Sequence, residues 1–173
     1  AGLKSDIETC LAARAEFSQG NARYDVYRNL AARFGVREDA DAAQVIKAGY
    51  EAFHNRKVER DITLLPAVRD LIRDLRGPYA IHLVTAGHFE TQTSKVEILG
   101  LETLFDSIRI TDPSRGESKG EAFRSIMATS GVRPERHLSV GNRLDTDIGE
   151  ARKLGWKTCW VRYGEYSNAF PEQ

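Results

Sequence analysis

From about residue 65 to residue 163 the chain alternates amphipathic stretches with short apolar runs, and this alternation limits its fold more than any other feature. "PAVRDLIRDLRG" predicts a helix with Pro66 in its first turn. "YAIHLVTAG" predicts a strand rich in β-branched residues and closed by a glycine. The helix "FETQTSKVEILG", the strand "FDSIRIT", the helix "KGEAFRSIMATSG", the strand "HLSVGN", the helix "DIGEARKLG" and the strand "KTCWVRYG" follow. Strands joined by helical crossovers pair in parallel, with the helices packed on the faces of the sheet. The expected class is α/β: a Rossmann-like, mostly parallel sheet with flanking helices.

The first 60 residues read differently, as helices alone. "SDIETCLAARAEFSQG" offers Ser5 and Glu8 as a capping box, with Ile7, Leu11 and Ala15 at helical spacing. "ARYDVYRNLAARFG" sets Tyr24, Tyr27, Leu30, Ala31 and Phe34 on one face and ends at Gly35. "EDADAAQVIKAGYEAFHNRKV" places Val45, Ile46, Gly49, Tyr50 and Phe53 together. Three successive helices make a small all-helical unit, so the expected division is a helical domain over 1–60 and an α/β core over 61–173. These aromatic side chains read as core first and as substrate contacts second.

Charge excludes several functions. Lys plus Arg and Asp plus Glu number 25 each, which gives neither nucleic acid nor an anionic membrane a basic surface to bind. No apolar run is long enough for a membrane span, and the first residues carry no apolar targeting segment, so a cytoplasmic location is expected. Cys10 and Cys159 belong to no metal-binding spacing, and Cys159, inside "TCWV", reads as a small buried residue.

Open α/β sheets do their chemistry at the carboxyl ends of parallel strands. Reading each strand to that end gives Thr85, Ala86, Gly87 and His88 after "HLV", Thr111 and Asp112 in "IRITD", and Asn142, Arg143, Asp145 and Asp147 after "LSVG"; Lys119 opens a helix between them. A hydroxyl with nearby backbone amides, one ammonium and a set of hard oxygen donors suit a phosphoryl group beside Mg²⁺. Asp145 reads as a helix N-cap, and Asp147 as either a metal ligand or a first-turn acid facing the helix dipole. Arg143 faces either substrate or solvent. His82 alternates with apolar neighbours inside a strand and reads as structural; His54, His82, His88 and His137 match no zinc spacing, and His88 is a candidate for the pocket.

These residues, in this order, resemble the haloacid dehalogenase-like superfamily of phosphohydrolases. The resemblance rests on Thr85 ending "LVTAG", on Lys119 in "ESKGEAF", and on Gly141, Asn142 and Asp147 in "SVGNRLDTDIGEARKLG". It is supported by "LLPAVRDLIRDLRG", "KVEILGLETLFDSI" and "ARKLGWKTCWV" around them. It implies a phosphorylated small-molecule substrate and Mg²⁺ as cofactor. Thr85 and Lys119 would be catalytic; Thr85, Ala86, Gly87, His88, Lys119 and Arg143 would bind the phosphoryl group and substrate; Asn142 and Asp147 would hold the metal. Residues 1–60 would be a cap that selects the substrate.

The sequence departs from the family's pattern in two places. Asn142 stands where an Asp is usual, which keeps an oxygen donor and removes its charge. The family's nucleophile is the first Asp of a DxD motif on a strand preceding the cap, and no such strand lies upstream of Thr85. "LDTDIG" spells DxD but follows a loop, and "DAD" at 39–41 starts a helix, so neither has the required context. In the family that strand lies between the strands ending in Thr85 and Asn142. Three completions are open: a further upstream segment, which the local consistency of the rest favours; a strand from another chain; or a sheet that closes differently. Without a nucleophile the chain would be a non-catalytic module that binds a phosphorylated ligand or a protein partner.

Overall fold

The computed structural model describes residues 3–18, 25–35, 42–54, 62–164 and 167, with the side chains of Phe53 and His54 outside that description. Tyr24, the acids at 39–41 and most of the tail after residue 164 also lie outside it. The chain forms two compact units, 1–58 and 59–173. No helix among the described residues is long and apolar enough to cross a membrane.

The first unit holds α1 (Ile7–Phe17), α2 (Val26–Phe34) and α3 (Ala42–His54). Asp6, not Ser5, caps α1: its carboxylate accepts from the Thr9 backbone N–H at 2.8 Å, so the predicted capping box does not form. The predicted stripe is also the wrong face, since Ile7, Leu11 and Ala15 are exposed and Ala13 is buried. Apolar residues occur on both sides of α1, and packing selects the side that meets Val26 and Leu30, with Leu3, Phe17, Tyr27 and Phe34 around them. Gly35 ends α2 with a left-handed φ of 61°. A side chain at Gly49 would lie within 2.8 Å of the Tyr27 ring, so its absence lets α3 approach α2.

In the second unit every strand pairs in parallel. Helix α4 (Val68–Leu75) precedes β1 (His82–Ala86), α5 (Phe89–Ile98) and β2 (Ser107–Thr111); α6 (Lys119–Ser130) precedes β3 (Leu138–Gly141), α7 (Glu150–Lys153) and β4 (Lys157–Trp160). Pro66 does not enter α4: it sits in the turn before it, where Ala67 takes a left-handed φ of 63°. Strand β1 pairs with β2, setting Thr85 beside Ile110 and Ala86 beside Thr111. Strand β3 pairs with β4, setting Gly141 beside Trp160. Among the described residues no ladder joins the two pairs, so the single sheet expected is two two-stranded sheets.

Two apolar clusters hold these elements. Phe123 and Ile126 of α6 pack with Ala151 of α7 and Trp156, and Val84 of β1 joins them. Val96, Leu101 and Leu104 form the second cluster with Leu64, Ile72, Leu83 and Ile108. His82 Nδ1 lies 2.7 Å from Ser107 Oγ across the first pair, and burial holds its pKa below the ordinary imidazole value, as suits a structural histidine. The other pair has a bare face: Leu138 and Val140 are 57% and 60% exposed, and Cys159 beside Val140, read as buried from its apolar surroundings, is exposed too.

The predicted helix over 147–155 begins earlier and wider. Residues Leu144–Gly149 form a π-helical turn before the short α7. The Arg143 carbonyl accepts from both Asp147 N and Ile148 N, at 3.0 and 3.1 Å. One extra residue in the turn rotates the following side chains, which fixes where Asp147 points.

Candidate active site

Capping residues place Lys119. Ser118 accepts from the Glu121 backbone N–H at 3.3 Å, and the Glu121 carboxylate accepts from Ser118 N at 3.0 Å, a complete capping box at the start of α6. An ammonium in the first turn of a helix is disfavoured by the dipole, so it requires an offsetting anion. That anion is Asp147: Lys119 Nζ donates to its Oδ1 at 2.6 Å. The residue is only 6% exposed.

Asp147 is in turn fixed on every side. Its Oδ2 accepts from Arg143 N at 3.1 Å, and its backbone carbonyl accepts from the buried Ser139 hydroxyl at 2.9 Å. A Cβ at Gly141 would lie 2.5 Å from both Cβ and Cγ of Asp147, so the strand must end in glycine for the carboxylate to fold back over it. Lys119 follows the carboxyl end of β2 and Asp147 follows that of β3. Their contact therefore joins the start of α6, in the segment after β2, to the turn after β3.

The β1 end carries Thr85, whose hydroxyl donates to Gln92 Oε1 at 3.1 Å. Gly87 takes a φ of 151°, and its N–H donates to the Thr111 carbonyl at 2.9 Å. His88 precedes α5 and its Nδ1 stands 3.0 Å from Glu90 Oε2. At the β2 end Asp112 is buried, and its Oδ1 accepts from Ser114 N and Oγ at 3.0 and 2.6 Å. Burial works to raise its pKa, but hydrogen bonds from the Ser114 hydroxyl and N–H and from Phe89 N–H, with the charge of His88, hold it below the ordinary carboxylate value.

The remaining sequence candidates are tied into the loop after β3. Asn142 Nδ2 donates to the Tyr163 carbonyl at 3.1 Å, which fixes the amide. Arg143, only 13% exposed at its side chain, binds Asp145 through two nitrogens, the Nε contact being 3.0 Å. Asp145 is thus inside the π-helical turn as the partner of Arg143, and is not the N-cap its sequence position predicts; Arg143 itself holds that place. Burial favours a raised Asp145 pKa, and the Arg143 hydrogen bond and charge outweigh it and hold the pKa low.

Oxygen donors of the hard type suited to Mg²⁺ are present in Asp147 and in the Asn142 amide. Among the described residues no group of three or more His, Cys, Asp or Glu gathers at one point, so these two would form part of a shell and not the whole of it.

Gln92 belongs to no motif in the sequence, although it lies seven residues after Thr85, one turn into the next helix. A polar residue in that turn, on the side facing the strand end, is the signal that marks it.

Comparison with known proteins shows which family the chain matches. The family described as haloacid dehalogenase-like hydrolase matches residues 15–161. Glyceraldehyde 3-phosphate phosphatase of Pyrococcus furiosus is 32% identical over 124 residues, 70% of this chain and 51% of that protein. Human N-acylneuraminate-9-phosphatase is 29% identical over 102 residues, 58% of this chain and 41% of that one. The chain thus spans about half the length of the curated relatives it matches. Among solved structures, a putative hydrolase of the same family from Bacillus subtilis, bound to magnesium, superposes with a TM-score of 0.61 at 22% identity, covering 96% of this chain and 70% of that one. A predicted phosphoglycolate phosphatase from Haemophilus somnus gives 0.62 at 17% identity, covering 94% and 72%. At these identities the structural likeness concerns the fold.

Proposed function

This chain belongs to the haloacid dehalogenase-like hydrolase family, and from that premise we propose that it serves in a phosphohydrolase acting on phosphate monoesters of small molecules. The observation that carries the reading is the Lys119–Asp147 pair, 2.6 Å apart and largely withdrawn from water, which joins the start of α6 to the turn after β3. An ammonium held there is a fixed positive charge for a phosphoryl group. The phosphatase relatives from Pyrococcus and human support the substrate class.

In this reading Thr85 donates its hydroxyl proton, and Ala86 and His88 their backbone N–H groups, to the non-bridging phosphoryl oxygens, while the Gly87 N–H stays on the Thr111 carbonyl and holds the turn. Lys119 neutralises charge as it builds on phosphorus and nucleophile. Arg143, through Asp145, holds the loop that aims Asp147. The family's nucleophile, a carboxylate on a strand that precedes the cap, would attack phosphorus and form an aspartyl-phosphate that water then cleaves. A neighbouring acid protonates the leaving oxygen. Mg²⁺, held in part by Asp147 and Asn142 Oδ1, would neutralise phosphoryl charge. Substrate choice is assigned to the helical unit.

A second reading is favoured by one observation: Asn142, at a position usually acidic in the family, is anchored to the Tyr163 carbonyl. It makes the chain a module that binds a phosphorylated ligand without turning it over. Hydrolysis of p-nitrophenyl phosphate with and without Mg²⁺ separates the two. Turnover that needs Mg²⁺ and is lost in Lys119→Ala supports the enzyme. Phosphate binding that is retained without turnover in the full-length protein supports the module.

A further inference from the structure

The Thr85 hydroxyl can supply the phosphoryl group with a hydrogen bond only if its single proton points that way. In the structure that proton is directed to Gln92 Oε1 at 3.1 Å, which leaves only lone pairs for a phosphoryl oxygen to meet. The surroundings of Gln92 are built for this contact. It lies in the first turn of α5, its N–H bonded to the His88 carbonyl at 3.0 Å. Its side chain runs back over Gly87, where a Cβ would stand 2.5 Å from Nε2 and 3.1 Å from Cγ and Cδ. Gly87 therefore clears the path of the Gln92 amide as well as making the turn.

A carboxamide has one accepting and one donating end of the same outline. Half a turn about its last bond puts Nε2 in place of Oε1, so that Gln92 donates to Thr85 Oγ1 and the hydroxyl proton is released toward the pocket. We propose that Gln92 is a positioning residue that sets the direction of the Thr85 hydroxyl proton, and so decides whether Thr85 accepts from residue 92 and donates to phosphate, or the reverse. The proposal rests on the phosphohydrolase reading and names a regulator of that same site.

Gln92→Glu tests it, because an ionised carboxylate can only accept and locks the proton away from phosphate. In the full-length protein, at pH 8, the inhibition constant of inorganic phosphate and the KM of p-nitrophenyl phosphate should both rise about tenfold or more. The penalty should shrink as the pH falls below about 5, where a carboxyl group regains a proton to donate. Charge repulsion by a glutamate alone would give a similar pH profile, so the decisive measurement is a cycle with Thr85→Val, which leaves no hydroxyl proton to direct. In that background Gln92→Glu should cost less than about threefold. An equal penalty in both backgrounds, or none in either, overturns the proposal. A parent protein that neither hydrolyses the aryl phosphate nor binds inorganic phosphate overturns instead the functional reading beneath it.

Discussion

Lys119 and Asp147 hold one another at 2.6 Å in a place with little water, so each is the other's main electrostatic partner there. Removing one partner leaves a buried ion with reduced compensation, which typically costs about 3–5 kcal/mol. Lys119→Ala is therefore expected to lower stability to urea by a few kcal/mol and, by removing a fixed charge from the phosphoryl site, to cut turnover by about a hundredfold or more. Urea unfolding beside a phosphatase assay reads both; unchanged turnover with lowered stability would make the pair purely structural. Asp112 makes a different prediction. Its pKa is depressed in the folded protein, so the unfolded chain takes up its proton first. The stabilisation is complete above the unfolded value near 3.9 and is lost as the pH falls through the lower, folded value. Asp112→Asn should therefore be less stable than the parent at pH 7, with the gap narrowing at pH 3. Urea midpoints at the two pH values check the sign.

At the scale of the element, the chain's ordinary parts were readable and its special parts were not. Strands β1 to β4 and helices α5 and α6 follow from a clear change of apolar period, and Thr85, Lys119 and Asp147 follow from asking what stands at their ends. The capping of α1 and its inward face were not readable, because Ser5 and Asp6 are both acceptable caps and apolar residues line more than one side. Nor was the π-helical turn over Leu144–Gly149, since one extra residue in a helix leaves no periodic trace. Asp145 differs from its expected role for that reason: its position suits an N-cap, but the turn begins earlier and Arg143 holds that place. The same turn makes Gly141 critical. Gly141→Ala would put a methyl 2.5 Å from Asp147 Cβ and Cγ, a backbone-anchored neighbour that a change of rotamer cannot relieve. A loss of about 1–3 kcal/mol is expected, with loss of the Lys119 contact and of turnover. A crystal structure of the variant with the pair intact would contradict this account.

At the scale of the molecule, α6 joins β1, through Val84, to α7 and Trp156, through Phe123 and Ile126, yet among the described residues each strand of the two pairs has a ladder on one edge alone. Leu138 and Val140, on the bare face of β3, are apolar side chains of the kind a strand buries when it lies within a sheet. Amide exchange can test the consequence. In the 173-residue chain, the β1 and β3 amides that face away from β2 and β4 should exchange far faster than those inside each pair. Joining an apolar strand of about six residues that ends in Asp-x-Asp ahead of residue 1 should protect those outer amides, because six residues span an ordinary strand. It should also raise hydrolysis of p-nitrophenyl phosphate, whereas the same strand ending in Asn-x-Asn should protect the amides and leave turnover unchanged. Outer amides already protected in the 173-residue chain would mean that β1 and β3 are covered in another way, and the nucleophile would then have to be sought elsewhere.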